Sequence, residues 1–237
     1  MIYKICPALL LVFISLFPSK FFFKDTKSST QIELTKSSSV NEEETVYNKL
    51  HSDQYALPKL ESFTQALKGF NRLKEEGVIS KNILTLIDFS LSSNSKRLWV
   101  IDLNTNKILY NSLVAHGRNT GEEFATSFSN SAQSFKSSLG FYATGEIYSG
   151  KHGKSLRLDG LEKGINNKAR ERAVVIHGAD YVSDSFIKNN KRLGRSLGCP
   201  AIPLQLVDEI IQTIKDKSCL FIYYPSESYK GASGLIS

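Results

Sequence analysis

Cysteine and histidine are the residue types in this chain whose side chains could serve as a nucleophile and its base. Cys199 lies in the loop Gly194-Arg195-Ser196-Leu197-Gly198-Cys199-Pro200, where small neighbours would let a substrate approach the main chain closely. Arg195, and the amino end of the helix that follows if it is aimed at the sulfur, would favour the thiolate. The loop therefore predicts a reactive thiol at Cys199.

A base for this thiol stands upstream in the sequence. Val174-Val175-Ile176-His177-Gly178 is typical of a buried strand that delivers a histidine at its end, beside a glycine. Such a histidine could accept the thiol proton and later return it to a leaving amine. The residues by themselves leave alternatives open: His177 could be a core histidine, and His116 or His152, each also followed by glycine, could be the base.

Two other interpretations compete with a catalytic thiol. In an oxidising compartment Cys199 and Cys219 could form a disulfide, although Cys219 opens an apolar run that is typical of a buried thiol. His116, His152 and His177 could hold zinc together with Cys199, but the tight paired spacing of structural zinc sites is absent from the sequence. The residues favour a catalytic thiol, and both alternatives stay open at this point.

The elements that must position these side chains are mainly strands. Apolar, β-branched and aromatic runs predict strands at residues 83–89, 97–103, 108–115, 141–148, 155–158, 173–176 and 219–224. Apolar residues at steps of three and four predict one helix from Pro58 to Glu76 and a late helix from Leu204 to Lys215. The sequence thus predicts a mainly β domain with an N-terminal helical extension and one late helix.

Composition and the first residues indicate the compartment. A chain of 237 residues that is 41% hydrophobic can form a folded core in one or two domains. The net charge of +7 is scattered among acids, so we expect no nucleic-acid binding.

Lys4 precedes an apolar run to Phe17, so residues 1–23 are expected to be a signal peptide or a retained membrane anchor running through residues 5–23. Residues 24–45 are rich in Ser, Thr, Lys and Glu and predict a flexible polar linker.

These motifs together resemble the L,D-transpeptidases, the YkuD-like enzymes that cross-link peptidoglycan. Ile176-His177-Gly178 is similar to the stretch that holds the family's histidine, and Ser196-Leu197-Gly198-Cys199 is similar to its Ser/Thr-x-Gly-Cys motif. The resemblance spans roughly Leu84 to Tyr224, and the segments 116–121, 138–145, 151–153 and 156–162 resemble the second YkuD-type branch.

The chain departs from the family's better-known members at three points. Leu197 stands where they commonly carry His or Lys, and Ala201 stands where they often carry Arg or Asn. The 22 positions from His177 to Cys199 imply a larger intervening loop at residues 184–194. These departures concern how the substrate is held and which acceptor is used.

The resemblance implies a β-rich sandwich or barrel over residues 81–226, with residues 46–80 as a helical extension packed outside it and 227–237 as a tail. It implies that Cys199 attacks the carbonyl that precedes D-Ala in a tetrapeptide stem and forms a thioester, with His177 as the base. An amine acceptor would then take the acyl group, and the resemblance implies that no metal or organic cofactor is needed. The protein is accordingly expected to be exported to the periplasm or cell envelope, and carbapenems are expected to acylate it.

Supporting roles also follow from the resemblance. Main-chain N–H groups of Gly198 and Cys199 would form an oxyanion hole, Ser196 would shape the loop or orient His177, and Gly178 would keep the histidine accessible. The residues expected to contact the substrate are Tyr142, His152 and Arg195, although Tyr142 and His152 could equally be packing residues.

Two alternative functions stay open at this stage. Resolution of the same thioester by water would make the protein an L,D-carboxypeptidase. A degenerate site would make it a non-catalytic peptidoglycan-binding domain, which the presence of both His177 and Cys199 disfavours.

Overall fold

The structure is a computed structural model that describes residues 42–151 and 153–237. The predicted signal peptide or anchor at residues 1–23, nearly all of the predicted linker at 24–45, and His152 lie outside the described residues. Within the described ranges, no helix is both long and apolar enough to cross a membrane.

Strands make up most of the regular structure. The eight strands of the described chain are β1 Ile83–Asp88, β2 Leu98–Asp102, β3 Lys107–Ser112, β4 Gly140–Gly150, β5 Gly153–Gly160, β6 Val175–Ala179, β7 Ala201–Pro203 and β8 Cys219–Tyr223. The helices are α1 Glu42–Tyr47, α2 Leu60–Glu75, α3 Asp184–Asn190, α4 Val207–Ile214 and α5 Glu227–Ala232, with a 3₁₀ turn at Leu204–Leu206. The prediction of a mainly β fold is confirmed.

The strands form one sheet that nearly closes into a barrel. Their order is β3-β2-β1-β8-β4-β5-β6-β7, with parallel pairing between β1 and β8 and between β6 and β7, and antiparallel pairing elsewhere. Beyond the end of β3, Ala115 pairs with Ala201 at the opposite edge of the sheet. The two main-chain bonds of this pair measure 2.8 and 3.3 Å from N to O. The closure brings the chain that follows β3 beside the segment that contains Cys199.

Helix α2 belongs to the hydrophobic core rather than lying outside it. Its buried face includes Phe63, Leu67 and Phe70. A Cβ at Gly69 would lie 2.1 Å from Cζ of Phe141 on β4, so glycine is what lets the helix approach the sheet so closely. The expectation of an extra element packed on the outside is therefore corrected: the periodic apolar face of α2 is buried against the sheet.

Three elements lie where the sequence predicted a loop, a connection and a tail. Helix α3 occupies the predicted loop at 184–194; Ser183 caps it by accepting from the N–H of Phe186 at 3.3 Å, and none of its residues is buried. Strand β7 has only three residues. Helix α5 lies in the predicted tail and buries Tyr229. Short elements with so few buried side chains leave no periodic signal in a sequence.

Candidate active site

Cys199 lies against the beginning of β6. Its Sγ is 3.7 Å from the carbonyl oxygen of Ala173, and the main-chain N–H of Val175 also contacts the sulfur. Ala173 has φ of 54°, in the left-handed region that non-glycine residues rarely adopt, so the chain turns sharply just before the strand. This turn presents one carbonyl and one N–H to the thiol, whose residue is partly exposed.

His177 lies in the middle of β6, the strand whose beginning is next to Cys199. In the parallel pairing of β6 with β7, His177 is opposite Ala201, and Cys199 precedes Ala201 by two residues. His177 also follows Val175 by two residues, and side chains two apart on a strand share a face. The pairing thus places the histidine and the cysteine that the sequence singled out on neighbouring segments of the sheet, with His177 within its strand rather than at its end.

The protonation pattern of His177 is set by its own backbone. Nδ1 lies 3.0 Å from the carbonyl oxygen of Gly178, and because a carbonyl can only accept, Nδ1 carries the proton in this bond. Nε2 is then the basic nitrogen of the ring. A buried imidazole in this tautomer can accept a proton through Nε2.

Opposing effects act on the thiol of Cys199. Burial raises its pKa above the usual value, whereas the N–H of Val175 and the positive charge of Arg172 act to lower it. Burial is the largest of these effects, so the resting side chain is a thiol that needs a base. Tyr181 is also close: burial raises its pKa to about 12, and the next contribution comes from Cys199.

The Cys199 loop, residues 194–199, is held by Ser196. The Oγ of Ser196 donates to the carbonyl oxygen of Cys199 at 2.6 Å and accepts from the N–H of Gly198 at 3.0 Å. Gly198 has φ of 127°, and a Cβ there would lie 2.9 Å from the carbonyl oxygen of Lys136. Ser137 adds a bond from its Oγ to the carbonyl oxygen of Gly198 at 3.1 Å. A hydroxyl at position 196 and glycine at 198 are thus required by the shape of the loop.

This arrangement changes the expected oxyanion hole. The N–H of Gly198 already donates to Ser196, so it is not available to a substrate in this conformation. The N–H of Cys199 donates to no other group within the described part of the chain. Of the two main-chain donors expected from the sequence, Cys199 is the one that can face an oxyanion.

A buried arginine and His116 brace the loop from the other side. Arg97 donates through Nη2 to Nδ1 of His116 at 2.8 Å and to the carbonyl oxygen of Val114 at 3.0 Å. Nε2 of His116 therefore carries the proton and donates to the carbonyl oxygen of Gly121 at 3.2 Å. The carbonyl of His116 accepts from the N–H of Ser196 at 3.0 Å. Both ring nitrogens of His116 are engaged, so it is neither the base nor a metal ligand.

An open cavity of about 340 Å³ lies in front of Cys199. Its walls come from the Cys199 loop, from the segment before β6 and from the loop 126–138, and they comprise Ala132, Gln133, Phe135, Glu171, Arg172, Val174, Leu197 and Cys199. Leu197 is 63% exposed at its rim. The thiol therefore opens into a space that could admit an extended peptide.

Several predicted residues serve other purposes. Tyr142 is fully buried and donates to the carbonyl oxygen of Ser138 at 3.0 Å, so the packing alternative left open for it holds. Arg195 binds Glu122 at 2.6 Å, and the cation that acts on the Cys199 pKa is Arg172 instead. Gly178 permits close packing rather than access, since a Cβ there would lie 3.0 Å from Cδ2 of Leu204.

The competing interpretations of the cysteines can be compared with the structure. Cys199 and Cys219 are both free thiols, so the disulfide alternative is wrong for this pair. Within residues 42–151 and 153–237, no group of three or more His, Cys, Asp or Glu side chains could hold a metal ion.

Arg172 is the site residue that the sequence did not reveal. Its Nη1 donates to the carbonyl oxygen of Ser129 at 2.8 Å, and its Nη2 donates to that of Lys136 at 2.7 Å. The same Nη2 lies 3.5 Å from where a Cβ of Gly198 would be. Arg172 is one of several basic residues in a polar stretch, so no sequence motif marks it.

Comparison with known proteins gives one family match and a set of distant structural neighbours. The family model of the L,D-transpeptidase catalytic domain, of the YkuD type, matches residues 56–223. No curated protein matches the chain.

Three solved structures illustrate the distance of those neighbours. An L,D-transpeptidase from Mycobacterium smegmatis has 10% identity and a TM-score of 0.38 over 60% of this chain and 59% of that one. The helical cell shape determining protein Pgp2 from Campylobacter jejuni has 14% identity and a TM-score of 0.41, over 69% and 57%. Bd1075 from Bdellovibrio bacteriovorus has 16% identity and a TM-score of 0.37, over 64% and 52%. The chain thus spans less than two thirds of the length of each of these three proteins.

Proposed function

Because the chain belongs to the L,D-transpeptidase catalytic domain family, we propose that it is a peptidoglycan L,D-transpeptidase with Cys199 as nucleophile and His177 as base. The observation that carries the proposal is the placement of the thiol at the start of β6, the strand that bears His177, at the mouth of an open cavity. Both ring nitrogens of His116 are engaged, so we assign the role of base to His177, which lies on that strand.

Acylation follows from this geometry. Nε2 of His177 takes the Sγ proton, and the thiolate attacks the carbonyl that links the third stem residue to D-Ala. The new C–S bond forms as the carbonyl becomes an oxyanion, and the N–H of Cys199 is its donor in this proposal. The tetrahedral intermediate then expels the amine of D-Ala, which receives the proton from His177 as the C–N bond breaks.

Transfer reverses these steps with a new partner. An acceptor amine attacks the thioester and gives its proton to His177, so that a C–N bond forms and the C–S bond breaks. Cys199 leaves as a thiolate and regains the proton. Water in place of the amine would yield the free tripeptide, and the protein would then act as a carboxypeptidase.

Intact-protein mass spectrometry tests the acyl-enzyme directly. The folded chain is mixed with a disaccharide-tetrapeptide in one tube and with a carbapenem in another, and Cys199→Ala is treated in the same way. We expect a covalent adduct on the wild type only, with D-Ala released from the first substrate. Cross-linked product would identify the transpeptidase, and free tripeptide would identify the carboxypeptidase.

The opposite result is equally informative. If neither reagent forms an adduct while a free thiol at Cys199 is confirmed by alkylation, the proposed chemistry is wrong. Specific binding of the disaccharide-tetrapeptide without turnover would then favour the non-catalytic peptidoglycan-binding domain.

The proposed substrate also sets the place of action. Peptidoglycan lies outside the cytoplasmic membrane, so the function needs the export that residues 1–23 predict. Cell fractionation, with and without those residues, tests this location: retention of the shortened chain in the cytoplasm is expected, and an unchanged distribution would contradict it.

A further inference from the structure

A second cavity lies beside the one that holds Cys199, across a seam of hydrogen bonds. Its volume is about 420 Å³. The seam joins loop 126–138 to segment 161–174. Asn130 bonds to the side chain of Asn167 at 2.9 Å and to the N–H of Lys168 at 3.2 Å, and Arg172 donates to the carbonyl oxygen of Ser129 at 2.8 Å. Both cavities are therefore built on the same two segments.

The second cavity differs from the first in its chemistry. None of the described residues that line it carries a formal charge, whereas Glu171 and Arg172 line the first. Its polar groups include the hydroxyls of Ser226 and Ser228, which bond to each other at 2.8 Å. A surface of hydroxyl and amide groups suits a neutral ligand with many hydrogen-bonding groups and gives a charged ligand no counter-charge.

Two aromatic rings complete the lining. Phe128 and Tyr224 lie with ring centroids 4.9 Å apart, and both are partly exposed at the cavity. The hydroxyl of Tyr224 bonds to no other described residue, and that of Ser129 accepts from Ser131 but donates to none. Aromatic faces beside unused hydroxyl donors provide both an apolar surface and directed polar contacts. A sugar ring, with apolar C–H faces and equatorial hydroxyl or amide groups, presents the matching surface.

The two cavities lie close to each other along loop 126–138. Ser129 and Asn130 line the second cavity, and Ala132 and Gln133 line the first. Three residues of extended chain span at most about 11 Å, so the cavities are no further apart along the loop than that. In a stem peptide, the distance from the sugar that carries the stem to the third residue is of the same size.

We propose that the cavity lined by Phe128, Ser129, Asn130, Tyr224, Ser226 and Ser228 is a carbohydrate subsite, which binds the N-acetylated glycan from which the stem peptide extends to Cys199. This inference rests on the proposed function for the identity of the stem. It adds a site of its own, because a thiol and base could act on a free peptide with no contact to the sugar.

Calorimetric titration of Cys199→Ala protein tests the subsite without turnover. The probes are a disaccharide-tetrapeptide of N-acetylglucosamine and N-acetylmuramic acid, and the same tetrapeptide without sugar. We expect the disaccharide form to bind at least about tenfold more tightly. Tyr224→Ala and Ser228→Arg, each added to Cys199→Ala, should reduce that ratio to near 1, the first by removing the ring and the second by filling the cavity.

Two controls separate this effect from damage to the fold. Tyr148 is a partly exposed tyrosine on β4 that lies outside both cavities and contacts Arg157, so Tyr148→Ala should preserve the tenfold ratio. Ser228 is exposed at its helix, so its substitution leaves the core intact if Tyr224→Ala should fail to fold.

The outcomes distinguish this proposal from the enzymatic one. Equal affinity for the two probes, or an equal loss of affinity for both in the variants, would overturn the subsite even if carbapenem acylates the wild type. Preferential binding of the disaccharide form that depends on Tyr224 and Ser228 would support the subsite even if no acyl-enzyme forms.

Discussion

Ser196 forms hydrogen bonds at both ends of the turn that presents Cys199. Its hydroxyl donates to the carbonyl oxygen of Cys199 at 2.6 Å and accepts from the N–H of Gly198 at 3.0 Å. The first bond orients the peptide unit that follows Cys199. The second bond occupies the N–H of Gly198, the residue before Cys199. Ser196 therefore occupies the N–H of Gly198 and leaves that of Cys199 as the available main-chain donor.

Ser196→Ala should slow acylation and lower stability. The change removes two hydrogen bonds of about 1 kcal/mol each from a buried hydroxyl, and the Cys199 turn loses its fixed shape. We expect kcat/KM for acylation to fall about ten- to a hundredfold, since about 1.4 kcal/mol corresponds to a factor of ten. Single-turnover mass spectrometry with a carbapenem measures this. Ser196→Thr retains the hydroxyl and serves as the matched control; an equally slow threonine variant would indicate a steric cause.

Arg172 should determine the pH at which the thiol reacts. Its positive charge acts to lower a Cys199 pKa that burial raises, so its removal should move that pKa further upward. We expect Arg172→Gln to shift the pH profile of Cys199 alkylation by iodoacetamide to higher pH. At pH 7 the rate should fall at least about threefold, because the thiolate is the reactive form.

Arg172→Lys distinguishes charge from anchoring. Lysine keeps the charge but cannot reproduce the fork that binds the carbonyl oxygens of Ser129 and Lys136. Its alkylation profile should therefore resemble that of the wild type while its melting temperature falls with that of Arg172→Gln. Identical pH profiles for wild type and Arg172→Gln would show that the arginine acts only as an anchor.

His116 should make the fold sensitive to acid. Burial, reinforced by the nearby charge of Arg97, lowers the pKa of His116 to about 4 from an ordinary value near 6.5. Protons then bind the unfolded chain more readily than the folded one. The stabilisation is fully present above about pH 6.5 and is lost as pH falls toward 4, at a total of about 3 kcal/mol.

Denaturant unfolding at pH 7 and pH 4.5 measures this loss. His116→Gln can still accept from Arg97 and donate to Gly121 but does not titrate, so its stability should depend much less on pH over this range. His51 is an exposed histidine, and His51→Gln should retain the wild-type dependence. A dependence that persists in His116→Gln would assign it to carboxylates instead.

Cys219→Ala should show that the two described cysteines have different roles. Cys219 lies fully buried on the central strand β8, paired with Leu84 on one side and Ala143 on the other. Removing its sulfur should cost about 1 kcal/mol of stability through a small cavity, with acylation unchanged. Parallel carbapenem labelling of Cys219→Ala and Cys199→Ala checks this; comparable loss in both would show that acylation also depends on Cys219.

The sequence predicted the elements that have a strong periodic signal. The apolar face of α2 was identified because burial of one face leaves a repeating pattern. The run at residues 219–224, observed as Cys219–Tyr223, was identified because a strand buried on both faces is continuously apolar. The family resemblance, which the motifs around His177 and Cys199 indicated, is confirmed by the family match to residues 56–223.

The surroundings of Cys199 could not be predicted in the same way. Arg172 reaches the loop through a left-handed residue, Ala173, that is neither glycine nor asparagine and so gives no turn signal. Arg97 is a charged residue buried by tertiary contacts, which a composition-based pattern would place on the surface. The occupied N–H of Gly198 depends on one rotamer of Ser196, and rotamers leave no trace in the sequence.

The pairing of Ala115 with Ala201 has a consequence for the order of folding. Contacts between residues so distant in sequence carry a large loop-closure cost and generally form late. The Cys199 loop is connected to this closed region by the hydrogen bond from the N–H of Ser196 to the carbonyl oxygen of His116. We therefore expect the thiol to acquire its reactive surroundings among the last events of folding, so that a partly emerged or shortened chain would carry an ordinary cysteine. The rate at which carbapenem labelling appears during refolding would then report the closing of the barrel.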